Sequence, residues 1–366
     1  MPGDSVLDRV KKARSSLLAN AKFQKFCTGF WPTRFLARAK AAEVFDLCAG
    51  FVYTQVLFAC VRLDLLQFVR DESQTLAAIA SKTGLPADGA NRLVQAAVAL
   101  DILEPRSQER YGLGAVGAAV LGNPGLQGMI SHHQHFYADL RDPVGLLQAR
   151  TKTTALAKYW HYSPATDQTA AERAAMQTYS DLMGDTQIVL ADQVLAAYDF
   201  SKHRKLMDVG GGDGTFLRAV HDKAPRLDLH LLELPTVAER AATRFEQLGL
   251  AITAHAGNMF EDDWPDGADL ITLVRVALDH DDARVEVLLA RARKALAPGG
   301  RLLLAEPMTD SAKVGDAYFG LYLWAMGSGR ARSSKELCAM LTRAGFSQIR
   351  VLPTGLPDIV RVISAS

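Results

Sequence analysis

The 366-residue sequence has only four cysteines, Cys27, Cys48, Cys60 and Cys338, and no CxxC pair. This spacing argues against a structural zinc site and a disulfide framework, and it fits the reducing cytoplasm. An excess of charge of either sign is also missing, because 41 Lys and Arg residues stand against 40 Asp and Glu residues. The chain as a whole therefore has no electrostatic preference for nucleic acid or acidic partners.

Long uninterrupted apolar runs are missing as well. The basic start is not followed by an apolar stretch, so no signal peptide is expected. The most apolar window, Leu47–Val61, contains Thr54 and Gln55 and is closed by Arg62 and Asp64. We expect it to fall short of the roughly 18 apolar residues that a membrane span needs. With 49% hydrophobic and 22% charged residues, the composition is that of a globular protein, and the length favours two domains.

The second half of the chain alternates strand-like and helix-like runs. Its seven candidate strands are Lys205–Val209, Leu227–Leu234, Ile252–Gly257, Ala268–Val276, Arg301–Glu306, Gln348–Leu352 and Ile359–Ile363. The first five alternate with helical stretches, which predicts right-handed βαβ units and a mostly parallel sheet. Only a short loop separates the last two, so the final strand should be antiparallel to its neighbour. Such a Rossmann-like, seven-stranded α/β sheet with a terminal hairpin is the class I methyltransferase fold.

One predicted helix in this half has clear boundaries. Val285, Leu288, Leu289, Ala292 and Leu296 recur at helical spacing. We predict Asp281 or Asp282 as the N-cap, and Pro298-Gly299-Gly300 as the turn that stops this helix before the next strand.

The first half of the chain is mostly helical and contains a helix-turn-helix-like segment. Thr75–Thr83 and Ala90–Leu100 are predicted helices around a turn at Gly84, and Glu104–Leu113 is a candidate β-wing. A DNA-binding second helix needs several cations and polar side chains, but this one offers only Arg92. We therefore predict an all-α, winged-helix-like dimerisation module without nucleic-acid contacts.

The first 40 residues carry nine Lys and Arg residues against Asp4 and Asp8, with Phe26, Phe30 and Trp31 among the large apolar residues between them. We favour a solvated amphipathic helix that packs on the body. An interfacial helix that contacts anionic lipid, and so gives peripheral membrane association, stays open. The predicted organisation is this basic segment (1–40), a helical dimerisation and substrate-pocket domain (41–190) and a methyltransferase domain (191–366).

The most informative stretch is Asp208-Val209-Gly210-Gly211-Gly212-Asp213-Gly214, where a hydrophobic strand runs into glycines before a helix. Glycines let the backbone turn tightly and let a ligand approach without a Cβ in the way. The pattern is GxGxG preceded by an acidic residue, and it fails the GxGxxG of nicotinamide-binding loops. A bare structural turn is the alternative interpretation.

Two further features indicate an adenosine ligand. Glu233 ends the second candidate strand, 233 − 212 = 21 residues after Gly212, where a carboxylate can accept both ribose hydroxyls. Asn258 and Met259 follow the third strand and could grip and cover an adenine. The loop supplies no Lys or Arg for a pyrophosphate. The predicted ligand is S-adenosylmethionine (AdoMet), with Asp208 or the loop amides facing its amino-acid end; a surface role for Glu233 and a core role for Met259 stay open.

The motifs LMDVGGGDGTF, LLELP, GNMF, ALAPGGRLLLAEPM and RSSKELCAMLTRAGF together resemble the small-molecule O-methyltransferase family over roughly residues 40–366. The resemblance implies a homodimer with a helical dimerisation domain and a class I methyltransferase domain. Segments such as FDLCAGFVYTQVLFACVRLDLL and GDAYFGLYLWAMGSGRARS are most similar to the carotenoid branch from photosynthetic bacteria. That branch methylates the tertiary 1-hydroxyl of acyclic carotenoids such as demethylspheroidene and hydroxyneurosporene. A neighbouring branch, which methylates bacteriochlorophyll at carbon 20, is the alternative.

The resemblance also implies that the segment Gly210–Gly214, Glu233, Asn258, Met259 and Arg275 contact the cofactor. The family usually has Asp where Asn258 stands, and the Asn carbonyl can still accept a hydrogen bond from the adenine amino group. Arg275 stands where many relatives have Lys, and a structural salt bridge is its alternative role.

The sequence departs from the family at the general base. Phenol-methylating relatives have a His at the position of Leu278. His280 is a candidate base, or else it caps the following helix. A second cluster, His132, His133 and His135, could reach the acceptor, although we favour adjacent surface histidines. An AdoMet-binding protein without transfer activity and a nicotinamide dehydrogenase are the competing functions.

Methyl transfer needs no metal, because the sulfonium is already electrophilic, and in-line positioning alone can be worth about 7–11 kcal/mol. A long polyene acceptor would need an apolar tunnel. The candidate aromatic residues for it are Phe51, Tyr53, Phe58, Phe136, Tyr137, Trp160, Tyr318, Phe319, Tyr322 and Trp324, each of which could also be plain core.

Overall fold

The computed structural model describes residues 5–148, 153–159, 184, 187–310 and 313–366. It divides into two compact units, Met1–Ala119 and Val120–Ser366. The functional division predicted at residue 190 stays a prediction, and the helices between residues 120 and 190 that the structure describes belong to the second compact unit.

The first unit is a helical domain with a small sheet. Its elements are α1 (Val6–Leu18), α2 (Ala21–Gly29), α3 (Arg34–Arg62), α4 (Leu65–Phe68), β1 (Gln74–Thr75), α5 (Leu76–Thr83), α6 (Ala87–Ala99), β2 (Leu103–Arg106), β3 (Arg110–Leu113) and the start of α7 (Ala115–Leu121). The predicted helix-turn-helix and wing are confirmed: Thr75 caps α5, Gly84 ends it at a φ of 70°, and the strands pair antiparallel in the order β1-β3-β2.

Helix α3 has 29 residues, of which only Cys60 is buried. By length and composition it is apolar enough to cross a membrane, so the prediction from the shorter window Leu47–Val61 underestimated it. Signal sequences and the core helices of soluble proteins can be equally long and apolar, so the length and composition of α3 are only weak support for a membrane span.

The second unit is an α/β domain. Its elements are α8 (Pro124–Asp139), α9 (Pro143–Leu147), α10 (Ala155–Tyr159), α11 (Gln187–Ala197), β4 (Lys205–Val209), α12 (Thr215–Lys223), β5 (Asp228–Glu233), α13 (Pro235–Gln247), β6 (Ile252–Ala256), β7 (Ala268–Val274), α14 (Asp282–Ala295), β8 (Leu296–Glu306), α15 (Lys313–Met326), α16 (Ser334–Arg343), β9 (Arg350–Leu352) and β10 (Arg361–Ala365).

The seven strands run in the order β6-β5-β4-β7-β8-β10-β9. Strand β10 is antiparallel to both neighbours, and the strand pairs from β6 to β8 are parallel, so the predicted class I methyltransferase sheet with its terminal hairpin is confirmed. Because the central strands of the sheet are buried on both faces, their side chains alternate between two cores. Met207 packs with α14 and α16, whereas its neighbour Leu206 packs with α11, α12 and α13.

Two local predictions are wrong. No helix forms between β6 and β7, where residues 257–267 make a loop around the buried Trp264. Helix α14 begins as predicted at the N-cap Asp281 but ends at Ala295, before Pro298. Leu296 is already extended, because its side chain is buried and its backbone pairs with Ala268. Pro298-Gly299-Gly300 therefore lies within β8, where the pairing with β7 shifts register.

Candidate functional site

The glycine loop leaves the carboxyl end of β4, at the edge of the sheet where open α/β domains bind ligands. The backbone N–H of Gly210 donates to Leu232 O at 2.9 Å, which fastens the loop to β5. Gly210 and Gly212 have φ angles of 72° and 60°, in the region that favours glycine. A Cβ on Gly212 would meet open space, so this residue leaves room for a ligand.

Two predicted cofactor-binding residues support the loop and do not line the cavity described below. Gly214 precedes α12 at a φ of 78°, and the ring of Phe245 occupies the place where its Cβ would lie. Asp208 is completely buried, and its Oδ1 accepts a hydrogen bond from Thr272 Oγ1 at 2.6 Å. Burial raises the pKa of Asp208 to about 7, and the charge of Glu233 adds to the shift.

Glu233 ends β5 beside the glycine loop and lines the cavity. Its Oε1 accepts a hydrogen bond from the backbone N–H of Leu234 at 2.9 Å. Burial raises the pKa of this carboxyl to about 7, although the N–H groups of Leu234 and Gly212 oppose the shift. A ligand that donates hydroxyls would stabilise the carboxylate further.

Asn258 and Met259 follow β6 and also line the cavity. The Oδ1 of Asn258 accepts from the backbone N–H of Phe260 at 3.0 Å, so the side chain also holds its own turn. The carbonyl of Met259 accepts from Trp264 Nε1 at 2.9 Å, which anchors the loop to the core.

Arg275 and the segment after it form the next wall. Arg275 lines the cavity with a φ of 57°, and its backbone N–H donates to Ala305 O. Asp279, which was not predicted, lines the same wall. Burial raises the pKa of Asp279 to about 7, against the opposing charge of Arg275. The buried Glu306 holds this segment from behind through the backbone N–H groups of Ala277 and Leu278.

His280 lines the cavity together with Leu278. Its ring meets the ring of Phe260 edge-on, with 4.8 Å between centroids. Burial lowers the pKa of His280 to about 4, the charge of Arg284 lowers it further, and Asp281 opposes the shift. The imidazole is therefore neutral at neutral pH but only a weak base.

Helix α15 forms an aromatic wall opposite these loops, through Tyr318, Phe319 and Tyr322. His133 Nε2 lies 2.8 Å from Tyr318 Oη, and His132 Nε2 lies 2.8 Å from Tyr322 Oη. The favoured interpretation as surface residues is wrong for His132, which is buried, whereas His133 and His135 are partly exposed.

Among the described residues of the second unit, the aromatic candidates Phe136, Tyr137 and Trp324 do not line the cavity. Phe136 packs behind the aromatic wall, and Trp324 is half exposed. Phe51, Tyr53 and Phe58 lie in the first unit, and Trp160 is outside the described residues.

Within the second unit, these walls enclose one cavity of about 1000 Å³. It contains eight of the ten predicted site residues: Gly210, Gly211, Gly212, Glu233, Asn258, Met259, Arg275 and His280. The glycine loop and carboxylate lie on one side and the aromatic wall on another, which suits a polar cofactor next to an apolar acceptor.

The family model of the O-methyltransferase domain matches residues 137–347, which is more than half of the chain, and that of the O-methyltransferase dimerisation domain matches residues 45–123. The chain belongs to the O-methyltransferase family. Its members are AdoMet-dependent enzymes, and AdoMet is the methyl donor of this chain.

Relatives within the family cover most of the chain. Demethylspheroidene O-methyltransferase of Cereibacter sphaeroides is 40% identical over 358 residues, 95% of this chain and 93% of that protein. The enzyme of the same name from Rhodobacter capsulatus is 41% identical over 90% of this chain and 83% of its own length. The structure of mitomycin 7-O-methyltransferase MmcR aligns with a TM-score of 0.74 and 27% identity, over 90% of this chain and 99% of that one.

AdoMet fits the residues present. The open space at Gly212 leaves room for a ligand against the backbone, and the carboxyl of Glu233 lines the same cavity, where it could accept hydrogen bonds from hydroxyls of a ligand. Sequence reasoning missed Asp279. It named the histidines and the tyrosines of the two pairs but did not predict that they are hydrogen-bonded to each other. Asp279 directly follows Leu278, the position expected for the base, and this position in the sequence could have predicted that Asp279 lines the cavity. The pairs join residues 185 and 190 positions apart, which no local pattern reveals.

Proposed function

We propose that this protein transfers the methyl group of AdoMet to the tertiary 1-hydroxyl of an acyclic carotenoid such as demethylspheroidene or hydroxyneurosporene, in carotenoid biosynthesis of a photosynthetic organism. The observation that carries the proposal is the 40% identity to a demethylspheroidene O-methyltransferase over 95% of the chain. The aromatic wall of Tyr318, Phe319 and Tyr322 supports it, because a polyene needs an extended apolar surface.

The proposed cofactor site consists of the loop Gly210–Gly212 with Glu233, Asn258, Met259 and Arg275. Glu233 would accept the ribose hydroxyls, and Asn258 with Met259 would hold and cover the adenine. Asp208 and Gly214 would act indirectly, by fixing the strand end below the loop and the start of α12. When bound, AdoMet supplies an electrophilic methyl group on a positively charged sulfur.

The proposed catalysis depends mainly on positioning. Leu278 occupies the place of the general base of phenol-methylating relatives, and the low pKa of His280 makes it a weak substitute. The chain's own contribution is then to exclude water with the aromatic wall and to hold the acceptor oxygen in line for transfer.

The test is incubation of the protein with radiolabelled AdoMet and detergent-solubilised acceptors. Label in the 1-methoxy group of a hydroxycarotenoid supports the proposal. Label in a bacteriochlorophyllide alone would transfer the assignment to carbon-20 methylation. Stabilisation by NADH without stabilisation by AdoMet would contradict any methyltransferase function.

We further propose that the protein is a homodimer through its first unit. Helix α3 exposes large apolar side chains, including Phe45, Leu47 and Phe51, which are 65%, 84% and 73% exposed. Apolar surface of this extent is usually buried in a partner, and α3 overlaps the matched dimerisation domain.

The basic segment that precedes the dimerisation match is proposed to bring the cytoplasmic enzyme to membrane surfaces. In α1 and α2 every residue is exposed or partly exposed, and Trp31 just beyond them is 74% exposed. Apolar rings among Lys and Arg side chains suit anionic lipid. Sedimentation with anionic but not neutral vesicles, lost on deletion of residues 1–33, would support this; equal sedimentation of the deleted protein would contradict it.

A further inference from the structure

Tyr318 and His133 form a hydrogen-bonded pair at the aromatic wall. Tyr318 Oη lies 2.8 Å from His133 Nε2, and the rings meet edge-on with centroids 5.7 Å apart. Met129 Sδ, at 3.9 Å, is a weak second neighbour of the phenol oxygen. When the phenol donates its proton to His133, its lone pairs remain available to accept a hydrogen bond from a hydroxyl in the cavity.

We infer that Tyr318 and His133 together accept the proton that the acceptor hydroxyl loses during methyl transfer. This inference rests on the proposed O-methylation and adds a proton path to it. Tyr318 would contact the acceptor, so it is the proposed catalytic residue. His133 acts through Tyr318 and is a positioning and proton-storing residue.

The proton balance of the reaction explains why such a weak pair suffices. The acceptor oxygen forms a bond to the methyl carbon, and the carbon–sulfur bond breaks with its electron pair left on sulfur. The oxygen, which then carries a methyl group and its original proton, is strongly acidic. Its proton passes to Tyr318 Oη while the proton of Tyr318 passes to His133 Nε2, so neither a free phenolate nor a strong base is required.

Burial prepares both groups for this exchange. Burial raises the pKa of Tyr318, with Tyr322 and Tyr137 adding to the shift and Arg275 opposing it, so the phenol stays protonated until the transfer. Burial also lowers the pKa of His133, so its ring is neutral before the transfer. The lower pKa makes His133 a weaker base, and it can take the proton because the methylated acceptor oxygen is strongly acidic. The charge of a protonated His133 would also act on its neighbour His132.

The second pair, His132 and Tyr322, is less suited to the task. His132 and Tyr322 are only 4% and 6% exposed, so a proton placed there has no direct exit. His133 is partly exposed and can pass its proton to water. The rings of Tyr322 and Tyr318 stack with centroids 5.5 Å apart, which indicates that the buried pair holds Tyr318 in place.

The experiment compares turnover in Tyr318→Phe, His133→Ala and His133→Gln. Each is expected to lower kcat about a hundredfold, at the lower end of general-base effects, with little change in AdoMet affinity by calorimetry. Gln can keep a hydrogen bond to Tyr318 but cannot take the proton, so a merely structural His133 would be rescued by it. Added imidazole should restore part of the kcat of His133→Ala and none of that of Tyr318→Phe.

The control is Tyr198→Phe, because Tyr198 Oη lies 2.8 Å from His203 Nε2 outside the cavity. It removes the same kind of bond and should leave kcat within twofold. Asp279→Asn is measured as a further variant. Full activity of His133→Gln, or a loss of kcat in Asp279→Asn alone, would overturn the inference. Turnover is measured on whichever hydroxylated acceptor the unmodified protein methylates, so failure with carotenoids contradicts the proposed acceptor alone. Methylation only of carbon or nitrogen acceptors would overturn both the proposed O-methylation and the proton path through Tyr318 and His133.

Discussion

The carboxylate of Glu306 accepts a hydrogen bond from the backbone N–H of Leu278 at 2.8 Å. A second N–H, from Ala277, reaches the other carboxylate oxygen at 2.7 Å. The buried Arg332 holds the same segment through the carbonyls of Ala277 and His280. The backbone is therefore fixed at Leu278, the position where the family resemblance led us to expect a base.

This buried carboxyl predicts a pH-dependent stability. Burial raises the pKa of Glu306 to about 8, and the charge of Asp279 adds to the shift. Between its ordinary value and pH 8 the folded state binds more protons than the unfolded state, so stability falls as pH rises through this window. Calorimetry should show a melting temperature that falls from pH 5 to pH 8, with each kcal/mol worth roughly 2–4 °C.

Glu306→Gln should make this decline less steep, because the variant side chain does not titrate. Part of the decline should remain, since the pKa values of Asp208, Glu233 and Asp279 are also raised. The variant should be less stable at pH 5 through one lost hydrogen bond. The matched control is Glu286→Gln, an exposed carboxyl paired with Arg343. An equally steep decline in Glu306→Gln would show that Glu306 is not the source.

Gly212→Val should abolish detectable AdoMet binding in a calorimetric titration, because its side chain would extend into the open space beside the loop. Gly249→Val controls for backbone strain, since Gly249 has a φ of 67° and open surroundings but does not line the cavity. Equal losses of affinity in both variants would point to a global effect.

Glu233→Ala should weaken AdoMet binding by about 1.5–3 kcal/mol, the scale of hydrogen bonds to a charged group. The same titration checks it, with Glu261→Ala, another carboxyl that lines the cavity, as the control. An affinity that does not change would remove Glu233 from the cofactor site.

His280→Ala should lower kcat by tenfold or less, roughly 1.4 kcal/mol, because its low pKa makes it a poor base. Steady-state turnover with saturating AdoMet checks this, and EDTA should have no effect. A loss beyond a hundredfold with intact AdoMet binding would instead assign the base to His280.

Leu47→Glu combined with Phe51→Glu should convert the proposed dimer into a monomer, because charges would enter an apolar interface. Light scattering should show about twice 39.7 kDa for the unmodified protein and 39.7 kDa for the variant. Val287→Glu, at a 46% exposed position on α14, is the control. An unmodified protein that is monomeric at micromolar concentration would contradict the proposal.

Local patterns predicted the parts of the fold that depend on adjacent residues. The glycine run after β4, the carboxylate at the end of β5 and the cap at Asp281 all follow from neighbours in the chain. Gly214 illustrates the limit, because its role depends on Phe245, 31 residues away, and spacing alone could not separate it from Gly212. His133 is a second case, since its partner Tyr318 becomes visible only when α8 and α15 pack together.

Strand β10 lies between β8 and β9, although it follows both in the chain. During synthesis, the edges of β8 and β9 that pair with β10 stay unpaired until residues Arg361–Ala365 have left the ribosome. Open edges of this kind invite pairing with other chains. The nascent enzyme should therefore be most prone to aggregation before β10 arrives, and a chaperone that prevents edge pairing until then would raise the yield of folded protein.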